Sequence, residues 1–187
     1  MNVMTELLDN LEESMMRAEE AMKTDFAGIR TGKASSALVE NIQVEYYGSS
    51  SRIRDIAGIS TPDARLIVIQ PWDRTALQAI EKAILASSIG ISPVNDGKVI
   101  RLPVPELSEE RRVALTKQVK ARAEDAKVQI RNVRRDGNET AKKAQKNSEI
   151  TEDQLKDLLE KIQKLTDEYV ARIDADLAEK DKELLKI

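Results

Sequence analysis

The chain is 187 residues long and carries 30 Lys plus Arg, 33 Asp plus Glu, no His and no Cys. At roughly 100–200 residues per domain, it can form one domain or two small ones around a core that needs no staples. Without cysteine there is no disulfide framework, thiolate nucleophile or zinc ribbon, and without histidine the commonest general acid/base and metal ligand is missing.

Charged residues make up 34% of the chain and aromatics 3%, a balance that favours long solvated helices over a thick aromatic core. The longest strongly apolar run is Leu66 to Ile69, far short of the ~20 residues of a membrane span. The opening MNVMTELLDNLEE is acidic and broken by charge, unlike a signal peptide. A soluble, intracellular, mostly helical protein is expected.

In chain order, Met4, Leu8, Leu11, Met15, Ala18, Met22, Phe26 and Ile29 form a heptad-like stripe, with Glu6, Glu12, Glu13, Glu19 and Glu20 on the other face. This predicts a long amphipathic helix that stops near Thr31-Gly32, where glycine can serve as a C-cap. Ile42, Val44 and Tyr46 then alternate with Gln43 and Glu45, which predicts a strand ending at Gly48, followed by a Ser-rich loop and a short segment around Ile56 to Ile59. Arg65 to Gln70 reads as a buried strand closed by Pro71. Leu77, Ile80, Ala83 and Ile84 have the spacing of a short helix. Asn95-Asp96-Gly97 predicts a hairpin between Ile91–Val94 and Val99–Leu102.

Helix resumes after Pro103-Val104-Pro105, with Ser108 as N-cap and Glu109 and Glu110 in the first turn. Its seam is expected at Val113, Thr116, Val119, Ala123, Ala126, Ile130, Val133, Gly137 and Ala144. Thr151-Glu152-Asp153-Gln154 is a capping box, with Ile150 and Leu155 as a hydrophobic staple. The helix it opens carries Leu155, Leu158, Ile162, Leu165, Tyr169, Ile173, Leu177 and Leu184 on one stripe.

Three long helices with matching apolar stripes should pack as a bundle. The expected fold class is therefore α+β: a long three-helix bundle, residues 1–31 and 105–187, with a small α+β domain, residues 32–104, inserted after the first helix. Two crossings bound the insert, Thr31-Gly32-Lys33 and Pro103-Val104-Pro105. Their glycine and prolines suit a short, restricted hinge, against which stands a rigid packing with ordinary turns.

Charge is segregated along the chain. Residues 1–30 are net −4, 31–107 net zero, 108–147 net +6 and 148–187 net −5. Lys120, Lys127, Arg131, Arg134 and Lys142 fall in one narrow stripe at ~100° per residue. These cations could simply pair with the acidic neighbouring helices. The run RNVRRDGN, holding Arg131, Arg134 and Arg135, favours phosphate recognition instead, because a planar fork suits phosphate better than a lysine point charge. Stacking on single strands is not expected, since Tyr46 and Tyr47 are consecutive in a strand and should point to opposite faces.

The runs IRTGKAS (29–35), VEYYG (44–48), IEKAI (80–84), NDG (95–97), IRLPVPELSEERR (100–112), IRNVRRD (130–136), ITED (150–153) and KLTDEYV (164–170) closely resemble the ribosome recycling factor family. The resemblance implies a three-helix bundle and a small β/α/β domain joined by a hinge, an L shape similar to transfer RNA. It implies a factor that binds the post-termination ribosome and, with elongation factor G and GTP hydrolysis by that factor, separates the subunits to release messenger and transfer RNA. It also implies contact with large-subunit ribosomal RNA through Arg134, then Arg131 and Arg30, with Lys127 and Arg135 in the same neighbourhood. Lys33 stands where the family often has arginine, and Gly137 where alanine is usual. A cytoplasmic monomer without cofactor or metal is expected.

An enzyme is the weaker reading. Asp174 and Asp176 are expected on a solvated face, Asp96-Gly97-Lys98 lacks P-loop spacing, and Ser35 and Ser36 have no histidine partner. The rival with more substance is a coiled-coil adaptor or chaperone-like module that docks partner helices.

Overall fold

A computed structural model of the chain describes residues 2–185. Its elements, in order, are helix α1 (Val3–Ala27), strands β1 (Gln43–Tyr46) and β2 (Ser49–Arg52), a single helical turn α2 (Ile53–Ile56), β3 (Ala57–Asp63), β4 (Leu66–Pro71), α3 (Leu77–Ala86), β5 (Val94–Asn95), β6 (Ile100–Pro103), α4 (Glu109–Lys146) and α5 (Glu152–Leu185). The fold class is α+β, as expected. The chain divides into two compact units, Met1–Thr24 with Ala114–Ile187, and Asp25–Val113. No helix among the described residues is long and apolar enough to cross a membrane.

The first unit is a bundle of α1, α4 and α5. The stripe of α1 buries Leu11, Met15, Ala18 and Met22. Leu158, Ile162, Tyr169, Ile173 and Leu184 of α5 are almost fully buried, and Thr166 among them returns its hydroxyl to the Ile162 carbonyl at 2.8 Å. The α4 seam runs through Leu115, Val119, Ala123, Ala126, Ile130, Gly137, Ala141 and Ala144. The expected seam begins out of phase: Val113 is 52% exposed, and Leu115 holds the inner position on that turn. Counting back from Ala123 in steps of four lands on 119 and 115, which keeps the stripe on one face of a straight helix.

Gly137 lies inside α4 without interrupting it. A Cβ there would sit 2.5 Å from Leu11 Cδ1, so the missing side chain makes room for a leucine knob from α1. The lower end of the same core gathers Leu11, Ala141, Ala144, Ile150, Leu158 and Ile162. The turn from α4 to α5 closes as the sequence indicated. Gln154 N donates to Thr151 Oγ1 at 3.1 Å, and Thr151 N to Gln154 Oε1 at 2.9 Å.

Glu19 and Asp176 depart from their expected solvated faces. Glu19 is 5% exposed, with Lys23 at 3.5 Å and Arg172 at 3.7 Å, and Arg172 lies over the Tyr169 ring. Lys23 also reaches Asp176 at 4.0 Å, while Asp176 Oδ2 is buried without a hydrogen-bond partner. Burial first, and Glu19 beside it, push the Asp176 carboxyl above its ordinary range, while Lys23 opposes them. A carboxyl that holds its proton more tightly when folded stabilises the fold at low pH, and that contribution is lost as pH rises through the raised folded value. Asp176→Asn keeps the shape and removes the charge. It is expected to raise the Tm at pH 7.5 by roughly 2–4 °C, about 1 kcal/mol for a chain of this size. The gain should shrink as pH is lowered toward 4, which thermal melts at several pH values would check.

The second unit is built on a four-stranded antiparallel sheet in the order β3-β4-β6-β5, with β1 and β2 forming a separate hairpin. Alternation in β4 and β6 turns Ile67, Ile69, Ile100 and Leu102 into the core, where they join Leu77, Ile80 and Ile84 of α3. The Asn95-Asp96-Gly97 hairpin is present, with Val94 opposite Arg101 and Asn95 opposite Ile100. Asp96 Oδ1 accepts from the Lys98 and Val99 amides at 2.9 Å each.

Two expectations are corrected here. The Ser-rich segment is strand β2, paired with β1 from Gln43↔Arg52 to Tyr46↔Ser49. Tyr47 (φ 51) and Gly48 (φ 74) form the two-residue, positive-φ turn that suits a tight hairpin. The segment around Ile56 to Ile59 resolves into the α2 turn and the seven-residue strand β3.

Candidate nucleic-acid interface

Helix α4 presents the basic residues. Its start is defined by Ser108, whose Oγ accepts from the Arg111 amide at 3.2 Å, and by Glu109 and Glu110 near the positive end of the helix dipole. The seam of α4 is mostly small residues, and most of its cations are exposed.

The five candidate residues do not behave alike. Arg131 is exposed and, among the described residues, makes no ion pair or hydrogen bond. Arg134 is half-buried, and its Nη1 donates to Gln163 Oε1 of α5 at 3.4 Å. Arg135 is exposed, with only a loose contact at 3.8 Å to the adjacent Asp136, itself exposed. Lys127 is different: its side chain is only 13% exposed and is bound by Asp174 of α5 and, at 3.4 Å, by Glu124. The hydrogen bond to Asp174 comes first in raising the ammonium above its ordinary range. Asp174, expected on a solvated face, is thus the partner that neutralises Lys127. Lys120 and Lys142 are exposed.

Arg30 belongs to the second unit. It donates to the Gly90 carbonyl at 3.4 Å, and burial lowers its pKa, with the like charge of Arg111 adding to the effect. Two guanidinium groups close enough to repel leave a positive field that an anion would relieve.

The hinge residues also lie in the second unit. Gly32 has φ +84, Pro103 ends β6, and Val104 is buried, donating its amide to the Arg65 carbonyl at 2.8 Å. Arg65 pairs with Glu106 next along the chain.

Sequence reasoning missed the α5 residues that sort these cations, Asp174 and Gln163. The acidic excess of residues 148–187 signalled that pairing was available, but not which cations would be taken. It also misplaced the tyrosines. Tyr47 sits in the turn rather than the strand, so its ring meets Tyr46 at 4.4 Å between centroids, and Tyr46 donates to Asp73. That hydrogen bond holds the Asp73 carboxyl below its usual range and lifts the Tyr46 hydroxyl above its own. Trp72, next to Asp73, is 72% exposed.

Among the described residues no group of three or more His, Cys, Asp or Glu could hold a metal ion. The first unit is thus a helical bundle with one basic helix, and the second a small α+β unit. The ribosome recycling factor family model matches residues 22–185. Curated relatives named ribosome-recycling factor include those of Geobacillus kaustophilus, 49% identical over 97% of this chain and 98% of the relative, and Nitratidesulfovibrio vulgaris, 50% identical over 98% and 99%. Among solved structures, a solution structure of a ribosome recycling factor aligns with a TM-score of 0.79 and 41% identity, with both chains fully covered. Another match, also covering both chains fully, comes from models of the T. thermophilus ribosome recycling factor and E. coli elongation factor G bound to the E. coli post-termination complex, with a TM-score of 0.67 and 39% identity. The chain belongs to the ribosome recycling factor family, whose members are non-enzymatic translation factors.

Proposed function

We propose that this chain binds the post-termination ribosome and, with elongation factor G and GTP hydrolysis by that factor, separates the subunits to release messenger and transfer RNA. The observation that carries this reading is the arginine run on α4. Among the described residues Arg131 is exposed and unpaired, and Arg134 meets only a neutral amide, in a chain about as long as the recycling factors it matches. Arg134, Arg131, Arg30 and Arg135 contact phosphates of large-subunit ribosomal RNA; Lys127 contributes mainly to the bundle. The factor acts as a monomer in the cytoplasm, and the small domain of residues 32–104 moves against the rest of the chain about Thr31-Gly32-Lys33 and Pro103-Val104-Pro105.

An adaptor that docks partner helices would need a continuous apolar stripe facing outward. The stripes of α1 and α5 are turned inward instead, and exposed residues such as Met16 and Val128 are scattered singly.

The test is subunit splitting of post-termination ribosomes, followed by light scattering, with elongation factor G and GTP. Scattering is expected to fall when this protein is added and to stay high without GTP. Scattering that stays high in the complete mixture would overturn the reading.

A further inference from the structure

The cations of α4 are held in two different ways. Lys127 faces the carboxylates of Asp174 and Glu124, and its charge is neutralised within the bundle. Arg134 faces Gln163, a neutral acceptor. The orientation of that amide is set independently, because Gln163 Nε2 donates to Asp167 Oδ1 at 2.8 Å, one helical turn along α5. A primary amide has one acceptor oxygen and one donor nitrogen, so committing the nitrogen to Asp167 turns the oxygen toward Arg134.

We propose that Gln163, oriented by Asp167, is a positioning residue for Arg134, holding one edge of its guanidinium while leaving its full charge available to phosphate. This rests on the reading of Arg134 as a contact to ribosomal RNA. An arginine carries five N–H donors in a fixed fork, and Gln163 engages Nη1 alone, so among the described residues the remaining donors are uncommitted. A free arginine on a helix must lose considerable rotamer freedom when it binds; one held in advance loses less. A carboxylate at position 163 would pair with the guanidinium but cancel the charge that attracts phosphate, and it could no longer donate to Asp167. The chemistry of the neutral amide therefore separates positioning from neutralisation.

The experiment measures binding of the full chain to purified bacterial large ribosomal subunits over a range of salt, together with Tm. Gln163→Ala is expected to weaken binding roughly 3–10-fold with an unchanged salt slope, since no charge is altered. Gln163→Glu is expected to weaken it about 10-fold or more and to flatten the log–log salt slope by roughly 0.7–0.9, the change expected when one fewer phosphate is neutralised. Its Tm should stay near that of the parent, a combination that a purely structural glutamine would not produce. Asp167→Asn, whose amide oxygen can still accept from Gln163, should bind nearly as the parent does, and Asp167→Ala should resemble Gln163→Ala.

In an Arg134→Ala background the charge-neutral Gln163→Ala should have no further effect, and Gln163→Glu should cost less than it does in the parent. If Arg134→Ala alone binds as the parent does, the reading of Arg134 fails. If Arg134→Ala is weakened but Gln163→Ala is not, or if Gln163→Ala costs the same in both backgrounds, the positioning role is overturned.

Discussion

Arg134→Ala is expected to weaken binding to large ribosomal subunits roughly 10–100-fold while leaving the Tm within about 1 °C. The size follows from the worth of a hydrogen bond to a charged group, about 1.5–3 kcal/mol, and from the way the side chain is held. Its only hydrogen-bond partner among the described residues is the Gln163 amide, so the fold loses little when it goes. If about three phosphates are neutralised by α4 and its neighbours, the parent protein should show a log–log salt slope of roughly −2 to −3, and the variant a slope flatter by nearly one. Lys127→Ala should show the opposite balance. Its charge is already bound by Asp174 and Glu124, so affinity should change little. Equilibrium binding at several salt concentrations distinguishes the two, and a flat salt response from the parent would remove the basic face as the contact.

The largest expected loss of stability comes from Ile130→Ala. Between Ala123 and Ala144 the buried positions of α4 are alanine, glycine and this one isoleucine, which is fully buried. The other seam side chains of α4 are small, and small side chains reach little into a new void. The cost should therefore lie in the upper part of the ~2–5 kcal/mol range for large-to-small core changes. At roughly 2–4 °C per kcal/mol for a chain of this length, the Tm should fall by about 10 °C or more. Urea unfolding checks the free energy, and an unchanged m-value would place the loss in the native core. Affinity measured well below the Tm should fall less than for Arg134→Ala.

The helices were legible because their signals are long and redundant. The α1 stripe from Leu11 to Phe26, the Ser108 cap and the reciprocal Thr151–Gln154 box each appear where the periodicity placed them. What was not legible depended on geometry that a one-dimensional pattern does not carry. Strand β2 is three serines and an arginine, with no alternating hydrophobicity; it is a strand because the turn at Tyr47-Gly48 folds it onto β1. Glu19 and Asp176 sit on helices whose sequences leave room for a polar seam, and only the packing of α1 against α5 buries them. In the site, the arginine run could be read directly, but the fate of each cation turned on what α5 opposes to it. A carboxylate took Lys127 and an amide met Arg134, and net charge by segment does not distinguish those outcomes.

The placement of aromatic residues has a practical consequence. The chain contains one tryptophan, Trp72, and it stands 72% exposed in the second unit, beside the hydrogen-bonded Tyr46–Asp73 pair. The only described aromatic of the first unit is the buried Tyr169, since Phe26, near the end of α1, falls in the second. Intrinsic tryptophan emission is therefore a spectroscopic reporter of a single corner of the small unit. Its wavelength and quenching follow that corner, while the bundle, which holds no tryptophan, is followed by far-ultraviolet circular dichroism. A titration read by both methods separates events on the two units of one unlabelled molecule.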